Sequence, residues 1–420
     1  MTHFTEDRAA SALPASVNSF SRPDDSAQSP FHSFWMGGFE AAGHINEYGT
    51  RVNMLAATQH DRYLSEDFAL VRRVGIGTVR ESAQWHLIDR DGVLDFSTLA
   101  PVAEAAQAAG VQVLWTLCHY GWPDDLDLFS DELVARFAAY CEATARFLAS
   151  YSDTPPLYAP MNELSFFSWA CGDEGLFHPY VRDRGVELKR HLARAVIAAC
   201  RAILRADPRA CLCHIEPIIN VFPPRDRPDL VEEAAAFHEL QFAAWDLISG
   251  RQSPEIGGHP RYLDLIGVNF YYDNQWEYLG KRLRWTDVPR DARWVPVREL
   301  LANVWRRYRR PLFVAETSNF GVGRVPWLRE MAAEVRVAID RGVPVQGLCL
   351  YPIIDRPSWH DPSHWHNSGL WDLIPDETGR LQRVLFEEYA AELVAARVLL
   401  PNQQTESRVD GPNRPIEPTS

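Results

Sequence analysis

Two glutamates stand out, Glu163 in PMNELSF and Glu316 in VAETSNF, each directly after a short apolar run and the first preceded by Asn162. Other polar residues end apolar runs in the same way: Glu40, Arg80, His119, Glu216, Asn269 with Tyr271, and Tyr351 with Asp355. One such residue is as often a loop hydrogen bond as a site. Two carboxyl groups in such a set are what cleavage of a glycosidic bond requires, one protonated to release the leaving oxygen and one ionised to attack the anomeric carbon. Retention of configuration needs them ~5–5.5 Å apart. A carboxyl near a second carboxylate has its pKa pushed up and stays an acid near neutral pH, whereas one held by an Arg and a Tyr hydroxyl stays charged. Arg80 and Tyr271 suit that second task beside Glu316. Glu216, followed by Pro217, suits either a sugar contact or a pairing with Arg80.

Segments this far apart meet only if a scaffold carries them to one rim. Apolar runs predict strands at Ser33–Phe39, Ile76–Arg80, Val111–Cys118, Leu157–Met161, Cys211–Ile215, Leu263–Asn269, Pro311–Ala315 and Val345–Tyr351, with helical patterns between them. One helix starts at Ser130, an N-cap followed by Asp131 and Glu132, and repeats Leu133, Phe137, Cys141 and Leu148 on one face. Another carries Leu188, Leu192, Val196, Ala199 and Ile203 and stops at Asp207-Pro208. Gly75, Gly110, Gly250 and Gly342 offer further helix stops. A last helix is expected over about 381–398. Eight strands, each followed by a helix, predict the α/β class and a (β/α)8 TIM barrel, whose function collects at the C-terminal strand ends. WMGGF, Trp35 to Phe39, is a glycine pair and not a dinucleotide fingerprint, which disfavours an open doubly wound sheet. The fourth and seventh strands of a closed barrel lie on opposite sides, so Glu163 and Glu316 face each other across its mouth.

The composition narrows the partners. Of 420 residues, 42 are basic and 56 acidic, a formal charge of −14, with 46% apolar content. Such a surface repels phosphate backbones and anionic lipid, so nucleic acid and membranes are poor partners and a neutral small molecule fits better. No run approaches the ~20 apolar residues of a membrane span. The first thirty residues have no apolar core of signal-peptide length, and the seven scattered cysteines suit reduced structural thiols. A cytoplasmic protein is expected. Residues 1–30 and 401–420 read as polar, disordered tails around a single barrel domain at 31–400.

With the motifs placed, the chain resembles the clan A glycoside hydrolases, and most of all a divergent branch of glycoside hydrolase family 1, the β-glucosidase family. The resemblance covers about 34–373. The family's strand-two Arg and a Trp five residues later match Arg80 and Trp85, and its His-Trp appears as His119-Tyr120. Its Asn-Glu-Pro appears as Asn162-Glu163-Leu164, its Asn-Tyr-Tyr as Asn269-Phe270-Tyr271, and its Thr-Glu-Asn-Gly as Ala315-Glu316-Thr317-Ser318. No piece is specific alone; five in order on the right strands are. The resemblance implies a retaining β-glycosidase that hydrolyses a β-linked glycoside, with Glu163 as acid/base and Glu316 as nucleophile. It also implies that Tyr271 and Arg80 orient the nucleophile, that His119 and Asn162 bind sugar hydroxyls, and that no cofactor or metal is needed.

The departures bear on the substrate. Glu40 stands where the family has a sugar-binding Gln, and Asp355-Arg356-Pro357-Ser358-Trp359 replaces Asp-x-x-Glu-Trp, so Ser358 removes a bidentate acceptor next to Trp359. The family's 6-phospho-glycosidases carry Ser there too, but follow it with a Lys; here His360, His364 or Arg356 must serve instead for a phosphorylated substrate. His360, His364 and His366 with Asp361 have loose spacing for a metal and suit loop hydrogen bonds or substrate contacts better. Trp122, Trp169, Trp276, Trp359 and Trp365 follow strands and either stack on sugar or anchor loops. The basic run WRRYRRP, Trp305 to Pro311, reads as a solvated helix end. Two other functions stay open: a transglycosidase with the same chemistry, and a non-catalytic barrel that only binds carbohydrate or a partner protein.

Overall fold

The computed structural model describes residues 29–400. The tails expected at 1–30 and 401–420 lie outside the described residues, apart from Ser29 and Pro30, and the Pro30 carbonyl accepts from Gln112 Nε2 at 2.8 Å.

Eight parallel strands close a barrel: β1 (Trp35–Gly38), β2 (Thr78–Ser82), β3 (Gln112–Thr116), β4 (Leu157–Ala159), β5 (Cys211–Pro217), β6 (Leu265–Asn269), β7 (Leu312–Thr317) and β8 (Val345–Leu350). Each pairs with its sequence neighbours, and β8 returns to β1. This is the (β/α)8 architecture, and all eight expected strands fall on it. Helices between the strands bury one face each, as the alternation of apolar runs and 3.6-residue periodicity requires. In α1 (Asp131–Leu148), Ser130 accepts from the Leu133 amide at 3.2 Å, while Leu133, Phe137, Cys141 and Leu148 are buried. Helix α2 (Leu164–Gly172) follows β4, and α3 (Gly185–Ala206) ends at Asp207 as its Pro neighbour dictates. Gly110 and Gly250 take φ of +63° and +76° at helix ends, a conformation that favours glycine.

Strand alternation divides the core in two. Met36, Leu114, Leu157, Ala159, Cys213, Ile215, Leu265, Phe313, Ala315 and Cys349 fill the barrel, closed below by Phe31 against Phe313. Their neighbours, such as Val79, Tyr158, Leu212, Ile266 and Val314, pack under the helices. At Leu114, wholly buried, truncation to Ala costs about 2–5 kcal/mol. Gly38 makes room for a larger group, because a Cβ there would stand 2.1 Å from the Tyr351 ring.

One expected element differs. The last helix, α4, covers only Glu387–Leu399, and Leu381–Leu385 is instead the second strand of an antiparallel hairpin with Trp371–Pro375. Asp376 closes the turn by accepting from the Thr378 and Arg380 amides, with Gly379 at φ +81°. The hairpin carries Arg383 to a buried Asp67, a tertiary reward that overrides a local helical pattern.

Candidate active site

The site forms where β2, β4, β6 and β7 end. Arg80, inward on β2 by alternation with Val79, is 1% exposed. It donates from Nη1 to Glu316 Oε1 at 2.9 Å and to the Ala315 carbonyl at 2.8 Å, and from Nη2 to Asn162 Oδ1 at 3.0 Å. Tyr271 donates to Glu316 Oε2 at 2.9 Å. Glu316 reaches this position through an irregularity. Phe313 and Ala315 point into the barrel, so strict alternation would send Glu316 outward; register shifts between Val314 and Thr317 reverse it. Thr317 then takes the outward side, where its hydroxyl accepts from Trp327 Nε1 at 2.8 Å.

Glu163 sits just past β4 with φ +41°, a left-handed conformation that is strained for Glu. It holds the N-cap position of α2, where a carboxylate ordinarily turns back onto the helix amides. Its side chain makes no such bond. Glu216 of β5 does that instead, its Oε2 accepting from the Ser165 amide at 3.0 Å, and Glu163 is left free to face inward. Glu163 Oε1 accepts from Asn269 Nδ2 at 2.8 Å, and Oε2 accepts from the Tyr120 hydroxyl. Burial first, and then the charge of Glu316, push the Glu163 carboxyl up to about 8. The Tyr271 phenol is held well above its ordinary value by burial and by Glu316, so it remains a donor.

The remaining candidates divide. Glu40, His119, Tyr271, Trp359 and both key glutamates line one cavity of about 760 Å³. Arg80, Asn162 and Asn269 are buried behind that lining. Asn162 was expected to reach sugar, but its side chain is occupied: Oδ1 by Arg80, and Nδ2 against His119 Nε2 at 3.2 Å and the Tyr120 oxygen at 3.1 Å. His119 has its other nitrogen 3.3 Å from the Tyr351 hydroxyl, and burial keeps the ring neutral. Glu216 pairs with neither Arg80 nor the cavity. Ile215 points into the barrel, so the next residue points out toward α2. Ser358 is likewise outside the lining; its hydroxyl accepts from the His360 amide at 3.2 Å.

Glu40 is rewired rather than free. Its Oε1 accepts from the Ala41 and Ala42 amides, both at 3.0 Å, and its Oε2 lies 3.1 Å from Arg356 Nε. Arg356 also lies 5.2 Å from the centre of the Trp359 ring. The outer cavity is apolar, with Phe166, Trp169, Phe237, Trp276 and Phe320 on its walls. Trp122 is buried against Phe167 and anchors a loop, and Trp365 is not part of the lining. His360 binds Glu47 Oε1 at 2.6 Å and His366 stacks on Phe320. Among the described residues no group of three His, Cys, Asp or Glu is arranged to hold a metal ion.

Sequence reasoning noted Tyr120 only as the residue in the Trp position of the family 1 pattern and Arg356 only as a candidate phosphate contact, and gave neither a role beside Glu163 or Glu40. Their positions, directly after His119 and two before Ser358, were the available signal.

No family model and no curated protein matches the sequence. Solved structures do match in fold. The chain is similar to an AHE enzyme from Alicyclobacillus herbarius, with TM-score 0.67 and 18% identity over 81% of this chain and 87% of that one. It is also similar to the family 1 β-glucosidase from Thermotoga maritima, with TM-score 0.69 and 15% identity over 87% and 97%. For that enzyme in complex with deoxynojirimycin the TM-score is 0.70, at 15% identity over 89% and 99%. The barrel is therefore the fold of the family 1 β-glucosidases.

Proposed function

We propose that this chain is a divergent family 1 glycoside hydrolase that cleaves a β-linked glycoside with retention. The observation that carries this reading is the unequal treatment of two carboxyl groups in one cavity. Glu316 carries its negative charge between a guanidinium and a phenol, which both donate to it. Glu163 is buried next to that charge and keeps its proton at neutral pH.

In the first step a Glu316 oxygen bonds to the anomeric carbon as the bond to the leaving oxygen breaks, and Glu163 gives its proton to that oxygen. In the second, ionised Glu163 takes a proton from water, whose oxygen attacks the anomeric carbon and releases Glu316. The sugar would occupy the buried end beside Glu40, His119 and Trp359, and the aglycone the apolar outer walls. The β-glucosidase neighbours support the same reading.

The test is a panel of activated 2-fluoro glycosides followed by mass spectrometry of the digested protein. A label is expected on the peptide carrying Glu316, with the reactive sugar reporting specificity. A label on another carboxylate, or none from any sugar, overturns the assignment.

A further inference from the structure

Tyr120 stands where the family 1 pattern has Trp, and its hydroxyl reaches a reacting group. The side chain is buried, with backbone φ +62°, and its ring is enclosed by Phe166, Phe167, Phe177 and Trp359 at centroid distances of 5.4 to 6.1 Å. A phenol so confined has little freedom to choose partners. It donates to Glu163 Oε2 and accepts from Asn162 Nδ2, while Asn162 accepts from the Arg80 that grips Glu316. One chain of hydrogen bonds thus runs from the first carboxyl group to the second. An indole has no oxygen with which to make both contacts.

We propose that Tyr120 is a positioning residue for the acid/base, orienting the Glu163 carboxyl and stabilising the carboxylate left when the leaving oxygen has taken its proton. The proposal rests on the glycosidase reading. Each step balances without proton loss from Tyr120. Glu163 passes its proton to the departing oxygen, and the negative charge that remains on Oε2 is met by the phenolic O–H. In the second step the same bond holds that carboxylate toward the incoming water, and weakens once Glu163 is protonated again. Burial and the Glu163 charge keep the phenol protonated throughout. Asn269 holds the opposite oxygen, so the carboxyl plane is fixed at both corners.

The test compares wild type with Tyr120→Phe on two glycosides of the sugar accepted in the labelling panel, one a 2,4-dinitrophenyl and one a phenyl glycoside. The first leaving group needs no protonation and the second does. Without the hydroxyl the charged form of Glu163 loses a donor, so the alkaline limb of kcat/KM, expected near 8 in wild type, moves upward by about one pH unit. The kcat/KM of the phenyl glycoside, which reports the first step alone, falls about tenfold, and that of the dinitrophenyl glycoside by about twofold or less. A second variant with 3-fluorotyrosine at position 120, a stronger donor of nearly the same shape, should move the limb the other way. An unmoved limb in both variants, or an equal loss of kcat/KM for both substrates, overturns the proposal. A wild-type protein inert toward every glycoside in the panel sinks the glycosidase reading, and this inference with it.

Discussion

Strand β2 sends two consecutive charged residues in opposite directions, and the clusters they enter make an instructive pair. Arg80 points into the barrel and meets Glu316 and Asn162 at the floor of the cavity. Glu81 points out under the helices and meets His60 Nε2 at 2.7 Å; His60 Nδ1 is 2.7 Å from Asp67 Oδ2, and Asp67 Oδ1 accepts from Arg383 Nε at 2.7 Å. Both clusters are almost wholly buried and both shift proton affinities strongly. Only the inner one opens on a cavity and leaves a carboxyl group within reach of a ligand. The outer one is sealed, and ties the loop at 60–62, β2 and the C-terminal hairpin together. Buried charge alone therefore does not mark an active site; buried charge with an open wall does.

The largest effect separating the two clusters should come from Glu316→Ala. It removes the proposed nucleophile, so kcat is expected to fall on the order of 10⁴-fold or more, the scale seen when a nucleophile is lost. Azide should restore turnover of an activated substrate and give a product of inverted configuration, because a small anion fits the space vacated by the carboxylate. Nuclear magnetic resonance of the product reads both points. Retained configuration, or no rescue, would count against the double displacement.

His60→Gln should do the reverse, leaving kcat close to wild type while costing about 3–5 kcal/mol of stability, since two carboxylates lose the cation between them. The sign of its pH dependence follows from the two carboxylates, which hold His60 up to about 9 against the opposing effect of burial. A folded-state pKa raised above its ordinary 6.5 contributes stability that is fully present below about 6.5 and lost as pH rises through about 9. Thermal unfolding between those pH values should show a Tm that declines in wild type and changes less in the variant. A wild-type Tm that stays flat over that window and instead rises with pH below about 6.5 would mean the imidazole is buried neutral.

The comparison also explains how much could be read in advance. The eight strands were legible because parallel strands covered on both faces appear as unbroken apolar runs, and the two key glutamates because each ends such a run. Which way a strand-end residue points was harder, since it depends on parity. Counting from Ile215 turns Glu216 away from the cavity, while a bulge beyond Val314 turns Glu316 into it, and nothing in either short segment announces the difference. The outer cluster was missed for another reason. His60, Asp67, Glu81 and Arg383 come from four separate elements, and Arg383 sits where helical periodicity masked a hairpin. Tyr120 was visible as a departure from a pattern, but its bond to Glu163 depends on a backbone angle of +62° that no residue type dictates.

The smallest expected effect lies at the proposed sugar-binding end, where Glu40 and Ser358 depart from the family 1 pattern and Arg356 pairs with Glu40. Arg356→Ala leaves Glu40 with two backbone amides and no cation, so the carboxyl group should become harder to ionise in its buried site. If Glu40 binds a sugar hydroxyl, KM should rise about tenfold with little change in kcat, the pattern of a contact made equally in ground and transition states. Glu40→Gln in the same chain should then cost less than it does alone, because the charge needing a partner is gone. Ser358→Ala serves as the control within this region. Its hydroxyl accepts from the His360 amide and lies outside the cavity lining, so kcat/KM should stay within about twofold of wild type. A large rise in KM for Ser358→Ala, with Arg356→Ala unaffected, would show that the strand-eight loop closes over the sugar in a different arrangement and that the Glu40–Arg356 pair is only structural.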